Sequence, residues 1–150
     1  MFRVPRSVFR ARLYDTVNHL YAHVPFCRRR CSYCDFAIAV RRRIPAAEYV
    51  DAVARELVAL GREGMAAGAL DTLYLGGGTP SLLPPDALTE LLRRIAARRP
   101  LAPGAEVTLE ANPEDVTDQA AAAWRAAGVT RVSLGAQSFD ERVLAWMHRS

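Results

Sequence analysis

Residues 20–34 read Leu20-Tyr21-Ala22-His23-Val24-Pro25-Phe26-Cys27-Arg28-Arg29-Arg30-Cys31-Ser32-Tyr33-Cys34. The stretch Val17 to Val24 is apolar and β-branched enough for a buried strand, and Pro25 bounds it. A loop carrying three cysteines within eight residues follows. A strand that delivers a ligand-rich loop at its carboxyl end is the unit from which parallel α/β folds build their sites.

Working outward, the same unit recurs. Pro45 opens a helix that runs to about Arg62, with Val50, Val53, Leu57 and Leu60 on one face. Gly61, Gly64 and Gly68 punctuate its end. Asp71 to Leu75 is a second strand, stopped by Gly76-Gly77-Gly78. After Pro84-Pro85 comes a helix with Leu88, Leu91, Leu92 and Ile95 inward. Ala105 to Glu110 is a third strand. Thr117 is an N-cap and Gly128 a C-cap for the next helix. Thr130 to Leu134 is a fourth strand, and a fourth helix begins at Asp140 and is cut off in mid-course. Alternating strands and helices at this spacing mean parallel β/α units.

Two closures are open: a doubly wound sheet or a barrel. Four strands cannot close a barrel, so the barrel reading makes this chain the N-terminal part of a longer domain. Residues 1–16 are Arg-rich and read as an N-terminal arm, with the core domain over 17–150, truncated on its C-terminal side.

Composition excludes little and permits much. The 150 residues are 51% hydrophobic with a formal charge of +4, ordinary for a globular domain. No apolar run reaches membrane-spanning length, and no secretory signal is convincing. An odd, clustered cysteine set is a poor disulfide framework and fits a reducing, cytoplasmic setting with a metal or cluster. The runs Arg28-Arg29-Arg30 and Arg41-Arg42-Arg43 can attract an anion such as a nucleic acid or a carboxylated tetrapyrrole, or simply face solvent. No aromatic-interleaved basic stripe follows, so no nucleic-acid partner is expected.

The irregular segments fall where an α/β fold puts its site. The cysteine loop, Gly76-Gly77-Gly78-Thr79-Pro80, Glu110-Ala111-Asn112-Pro113 and Gly135-Ala136-Gln137-Ser138-Phe139 each follow a strand. Cys27-x3-Cys31-x2-Cys34 suits a soft metal or an iron–sulfur cluster. Three thiolates on a four-iron cube leave one iron open to a substrate. The alternative is a Cys3His zinc site completed by His23 or His19. A packed role suits His23 better, and Trp124 and Trp146 fit helical faces as packing residues.

Cys-x3-Cys-x2-Cys with Tyr33 before the last cysteine resembles the signature of the radical S-adenosylmethionine (SAM) superfamily. Residues 20–27, Tyr74-Leu75-Gly76-Gly77-Gly78-Thr79-Pro80-Ser81, Glu110 to Pro113 and Ser133 to Phe139 resemble one branch of it, that of oxygen-independent coproporphyrinogen III oxidase and the HemW-like heme chaperones. The resemblance implies part of a (β/α)6 TIM-like barrel with about four parallel units present. It implies that Cys27, Cys31 and Cys34 ligate a [4Fe-4S] cluster, that SAM chelates the open iron, and that one electron splits it to a 5′-deoxyadenosyl radical. Tyr33 would lie near the adenine and Tyr21 near the methionyl part. Gly77, Gly78 and Thr79 would let the backbone approach the methionine amino group, glycine lacking the obstructing Cβ. Glu110 would meet the ribose, where a carboxylate can accept from two hydroxyls, and Gln137 would be a further contact. Taken alone, Tyr21 could be core, Glu110 a cap or ion-pair partner, Gln137 a loop-satisfying amide and the glycines an ordinary turn.

Within that branch the oxidases carry a fourth cysteine two residues after the third. Here Cys34-Asp35-Phe36 puts Phe36 in that place, which is the heme-chaperone form. The resemblance then implies a protein that binds heme, delivers it to a respiratory protein, and keeps a cluster with an electron donor. The alternative is the enzyme that converts coproporphyrinogen III to protoporphyrinogen IX.

Overall fold

A computed structural model describes residues 18–62 and 68–149. The expected N-terminal arm, Val17 and Gly64 lie outside them. The elements are β1 (His19–Val24), β2 (Phe26–Cys27), β3 (Ala39–Val40), α1 (Ala46–Arg62), β4 (Leu70–Gly77), α2 (Pro85–Arg98), β5 (Leu101–Ala111), α3 (Asp118–Ala127), β6 (Arg131–Leu134) and α4 (Glu141–Trp146). Short 3-10 turns at Pro80–Leu82 and Pro113–Asp115 follow β4 and β5. The main sheet has the order β1-β4-β5-β6, every pairing parallel.

The four long strands, α1, α2 and α3 form where the sequence reading put them. Thr117 caps α3, its hydroxyl accepting the Ala120 amide at 3.0 Å, and Gly128 ends it in the left-handed region at φ 107°. Two bounds differ. β4 runs on through Gly76 and Gly77 instead of stopping there, because Gly76 and Gly77 stay paired with His23 and Val24 of β1. α4 ends at Trp146, where the Met147 amide turns back to the Val143 and Ala145 carbonyls.

Side-chain alternation distinguishes the two closures. Val24, Leu73, Leu75, Val107 and Leu109 point to one face, where they join Val50 and Leu57 of α1, Leu88, Leu91, Leu92 and Ile95 of α2, and Trp124 of α3 in a single core. A doubly wound sheet needs helices on both faces and near-continuous apolar strands. Here the opposite face is polar: Tyr21, Tyr74, Thr108 and Arg131 stand in register across the sheet, with Glu110 and Ser133 one step on. Strands in sequential order, with α1 to α3 on one side and a polar face on the other, are a segment of a barrel wall.

The cysteine loop is not the plain loop expected. β2 and β3 close it with a two-residue parallel ladder, Ala39 N–H donating to the Pro25 carbonyl and Arg41 N–H to that of Cys27. Two-residue strands are too short for any periodicity to announce.

Candidate functional site

The carboxyl ends of the strands surround a cleft of about 640 Å³. That is within the range of small-molecule sites. Of the ten side chains or glycines picked out from the sequence, Cys27, Cys31, Cys34, Tyr33, Gly77, Gly78, Thr79, Glu110 and Gln137 line it. Tyr21 does not. It is 56% exposed, which excludes a core role, and it stacks on Tyr74 behind Glu110 with ring centroids 6.0 Å apart.

The three thiols are free. Cys27 is buried at the end of β2, and its sulfur accepts from the Thr79 hydroxyl at 3.5 Å. Burial pushes its thiol up; the Thr79 bond pulls back, and the neighbouring Cys34 and Cys31 raise it further. Such a thiol is held protonated until a metal takes the proton's place. Cys34 N–H donates to the Cys31 carbonyl, turning the loop so that both face the cleft. Among the described residues, no three His, Cys, Asp or Glu side chains converge closely enough for a single metal ion. His23, the nearer zinc candidate, is engaged at both nitrogens, with Nδ1 facing the Tyr21 hydroxyl at 3.1 Å and Nε2 facing the Ala37 carbonyl at 2.8 Å. The packed role expected of His23 is what the structure shows. His19 bonds to Thr72 at the opposite end of β1. Thiols spread around one cleft suit a polynuclear cluster, whose sulfur ligands bind separate irons.

The glycine turn is packed from inside. A Cβ on Gly77, which has φ 113°, would land on the His23 ring, and one on Gly78 would come within 2.8 Å of the Pro25 and Phe26 backbone. Gly78 N–H donates to the Val24 carbonyl and Thr79 N–H to that of Phe26, both at 2.8 Å. These amides are committed, so the turn has acceptors rather than donors to offer.

Glu110 takes the Tyr74 hydroxyl on Oε1 at 2.8 Å and the Gly77 amide on Oε2 at 3.0 Å. Burial and the Glu110 charge both raise the Tyr74 pKa, so its hydroxyl remains a donor. Gln137 is exposed and adopts a left-handed φ of 62°, unusual for a residue with a Cβ.

Sequence reasoning missed Arg149. Its guanidinium donates to the Gly135 carbonyl at 2.7 Å, Asn112 Oδ1 at 2.8 Å and the Tyr33 hydroxyl at 3.2 Å, and its Nη1 lies 3.9 Å from Cys31 Sγ. Nothing distinguishes it from the other basic residues along the chain. Trp146, read as a packing residue, is 69% exposed. Its short helix is tied to the cysteine loop through Ser32 Oγ donating to the Trp146 carbonyl.

The barrel-wall segment carries its three thiols and its polar loop residues around one cleft at the carboxyl rim. The chain belongs to the radical SAM superfamily, whose description matches residues 21–150. It is 48% identical over 136 residues to the heme chaperone HemW of Mycobacterium tuberculosis, and 41% identical over 136 residues to that of Escherichia coli. Each match covers 87% of this chain and 34% of the relative, so the chain spans about a third of their length. A solved structure of coproporphyrinogen III oxidase (HemN) from Escherichia coli, a radical SAM enzyme, matches with a TM-score of 0.77 at 28% identity, covering 87% of this chain and 30% of that one. No described helix is long and apolar enough to cross a membrane.

Proposed function

We propose that this chain is the cluster- and SAM-binding part of a cytoplasmic heme chaperone of the HemW type. A [4Fe-4S] cluster held by Cys27, Cys31 and Cys34 would supply an open iron and the electron for reductive cleavage of SAM. The remaining residues bind and orient. An ammonium group needs acceptors, which the carbonyls of the Gly77–Thr79 turn provide. Glu110, already fixed by Tyr74 and Gly77, has lone pairs left for ribose hydroxyls. Tyr33 offers an aromatic face to the adenine, and Gln137 and Arg149 close the far side of the cleft.

The observation that carries the chaperone reading is Phe36. It lines the cleft, 65% exposed, where the oxidase pattern has a further cysteine. The relatives named as heme chaperones agree with this. Heme, an accepting respiratory protein and an electron donor are the partners this reading requires. The second reading, coproporphyrinogen oxidation, draws on the structural match to HemN.

Anaerobically reconstituted full-length protein distinguishes them. Incubated with coproporphyrinogen III, SAM and a reductant, it is expected to accumulate no protoporphyrinogen while binding heme. Product formed over many turnovers would replace the chaperone by the enzyme. The Cys31→Ser variant is expected to contain neither iron nor labile sulfide, and normal cluster content in it would overturn the ligand assignment.

A further inference from the structure

Asp115 stands outside the set of residues read as ligands to cluster or nucleotide. It closes the turn Pro113–Asp115 after β5, and its side chain is only 4% exposed. A carboxylate so enclosed is costly to keep ionised unless a cation and donors meet it. Both its oxygens are met. Arg28 Nη1 donates to Oδ1 at 2.5 Å, and Ser81 Oγ donates to Oδ2 at 2.6 Å.

The partners come from two other rim segments. Arg28 directly follows Cys27, the first thiol of the loop. Ser81 sits in the turn Pro80–Leu82 that continues the glycine run. One buried carboxylate thus gathers the entry of the cysteine loop, the segment after the glycine turn and the segment after Glu110. Backbone bonds tie the glycine turn to Val24 and Phe26, and the Thr79 hydroxyl ties it to Cys27, but these stop at the first thiol. Arg28 carries the connection one residue further into the loop.

We propose that Asp115 is a positioning residue that sets the cysteine loop against the glycine turn, and so fixes the cluster relative to the SAM cleft. This rests on the reading of Cys27, Cys31 and Cys34 as cluster ligands. Charge is the operative element, since Asp115→Asn keeps shape and can still accept from Ser81 but leaves Arg28 without its counter-ion.

The test uses full-length protein reconstituted anaerobically. Asp115→Asn is expected to take up iron and sulfide to the wild-type level. It should then lose cluster to an iron chelator about tenfold or more faster, the scale of a lost charged hydrogen bond. The change that SAM causes in the electron paramagnetic resonance spectrum of the reduced cluster should be weakened. Arg28→Met, which alters a side chain 59% exposed, should reproduce both effects, and the double variant should be no worse than Arg28→Met alone. Wild-type chelation rates and spectra in Asp115→Asn would overturn the proposal, as would additive effects of the two substitutions. So would an equal loss of thermal stability in cluster-free Asp115→Asn, because Asp115 would then serve the fold at large. If Asp115→Asn does not fold, the Arg28→Met spectra decide. Wild-type protein that takes up no cluster would sink the site reading itself, and this proposal with it.

Discussion

Glu110 meets two donors of this chain with its two oxygens, and each oxygen retains a free lone pair. That geometry makes it a fixed acceptor rather than a swinging one. Glu110→Ala is expected to weaken SAM binding by roughly ten- to a hundredfold, the worth of hydrogen bonds to a charged group. Cluster absorbance should be unchanged, since Glu110 bonds to Tyr74 and Gly77 and to no cysteine. Isothermal titration of the reconstituted protein measures the first and the visible spectrum the second; unaltered affinity would remove Glu110 from the site. At this scale the sequence was legible where residue type and spacing are themselves unusual. Three cysteines in eight residues and a triple glycine announce themselves. Asp115 and Arg149 do not, because one acid or one arginine among many becomes special only through what the fold brings against it. Tyr21 shows the converse: its place on β1 was readable, but strand periodicity cannot say whether a side chain lines a cleft or stands behind the residue that does.

Helix α3 is the element whose ends depend most on single residues. The Thr117 hydroxyl accepts the Ala120 amide, and the left-handed Gly128 lets its own amide and that of Val129 return to the Arg125 and Trp124 carbonyls. Thr117→Ala is expected to cost about 1 kcal/mol, as cap removals do. Gly128→Ala is expected to cost roughly as much, because a Cβ is strained at that φ although nothing lies within 4 Å to clash with it. Chemical denaturation reads both; a neutral Gly128→Ala would mean that the turn can relax. These caps were visible in the sequence, as were the inward leucines of α2, since capping and helical period are local properties. The small β2–β3 ladder was not, for its pairing joins residues separated by the whole cysteine loop. Element order by itself left barrel and doubly wound sheet open; the motif resemblance pointed to the barrel, which the structure bears out. Strand and helix order is common to both, and only the side of the sheet on which the helices pack distinguishes them.

The whole molecule divides into a core and a rim that share few side chains. The core lies between the sheet and α1 to α3, and among the described residues the cysteine segment reaches it through Phe26 and, at its far end, Ala39, with Cys27 buried as well. Beyond Cys27 the loop is held by polar ties: Arg28 to Asp115, Arg30 Nη1 to the Cys34 carbonyl, and Ser32 to the end of α4. A cluster bound through three thiolates would cross-link that loop, so its removal should loosen the rim and leave the core. The chain has no lysine, and three of its arginines stand at positions 28–30, so trypsin reports directly on this segment. Treating the reconstituted protein with a chelator is expected to leave the far-ultraviolet circular dichroism unchanged. Cleavage after Arg28, Arg29 or Arg30, identified by mass spectrometry, should accelerate by about tenfold or more, because proteolysis follows the population of locally opened chain. Arg42 and Arg43 are exposed beyond β3 and should be cut at similar rates with and without cluster, which makes them an internal control. A collapse of the helical signal on chelation would show instead that the core depends on the cluster, as in small metal-folded domains, and the division between rim and core would not stand.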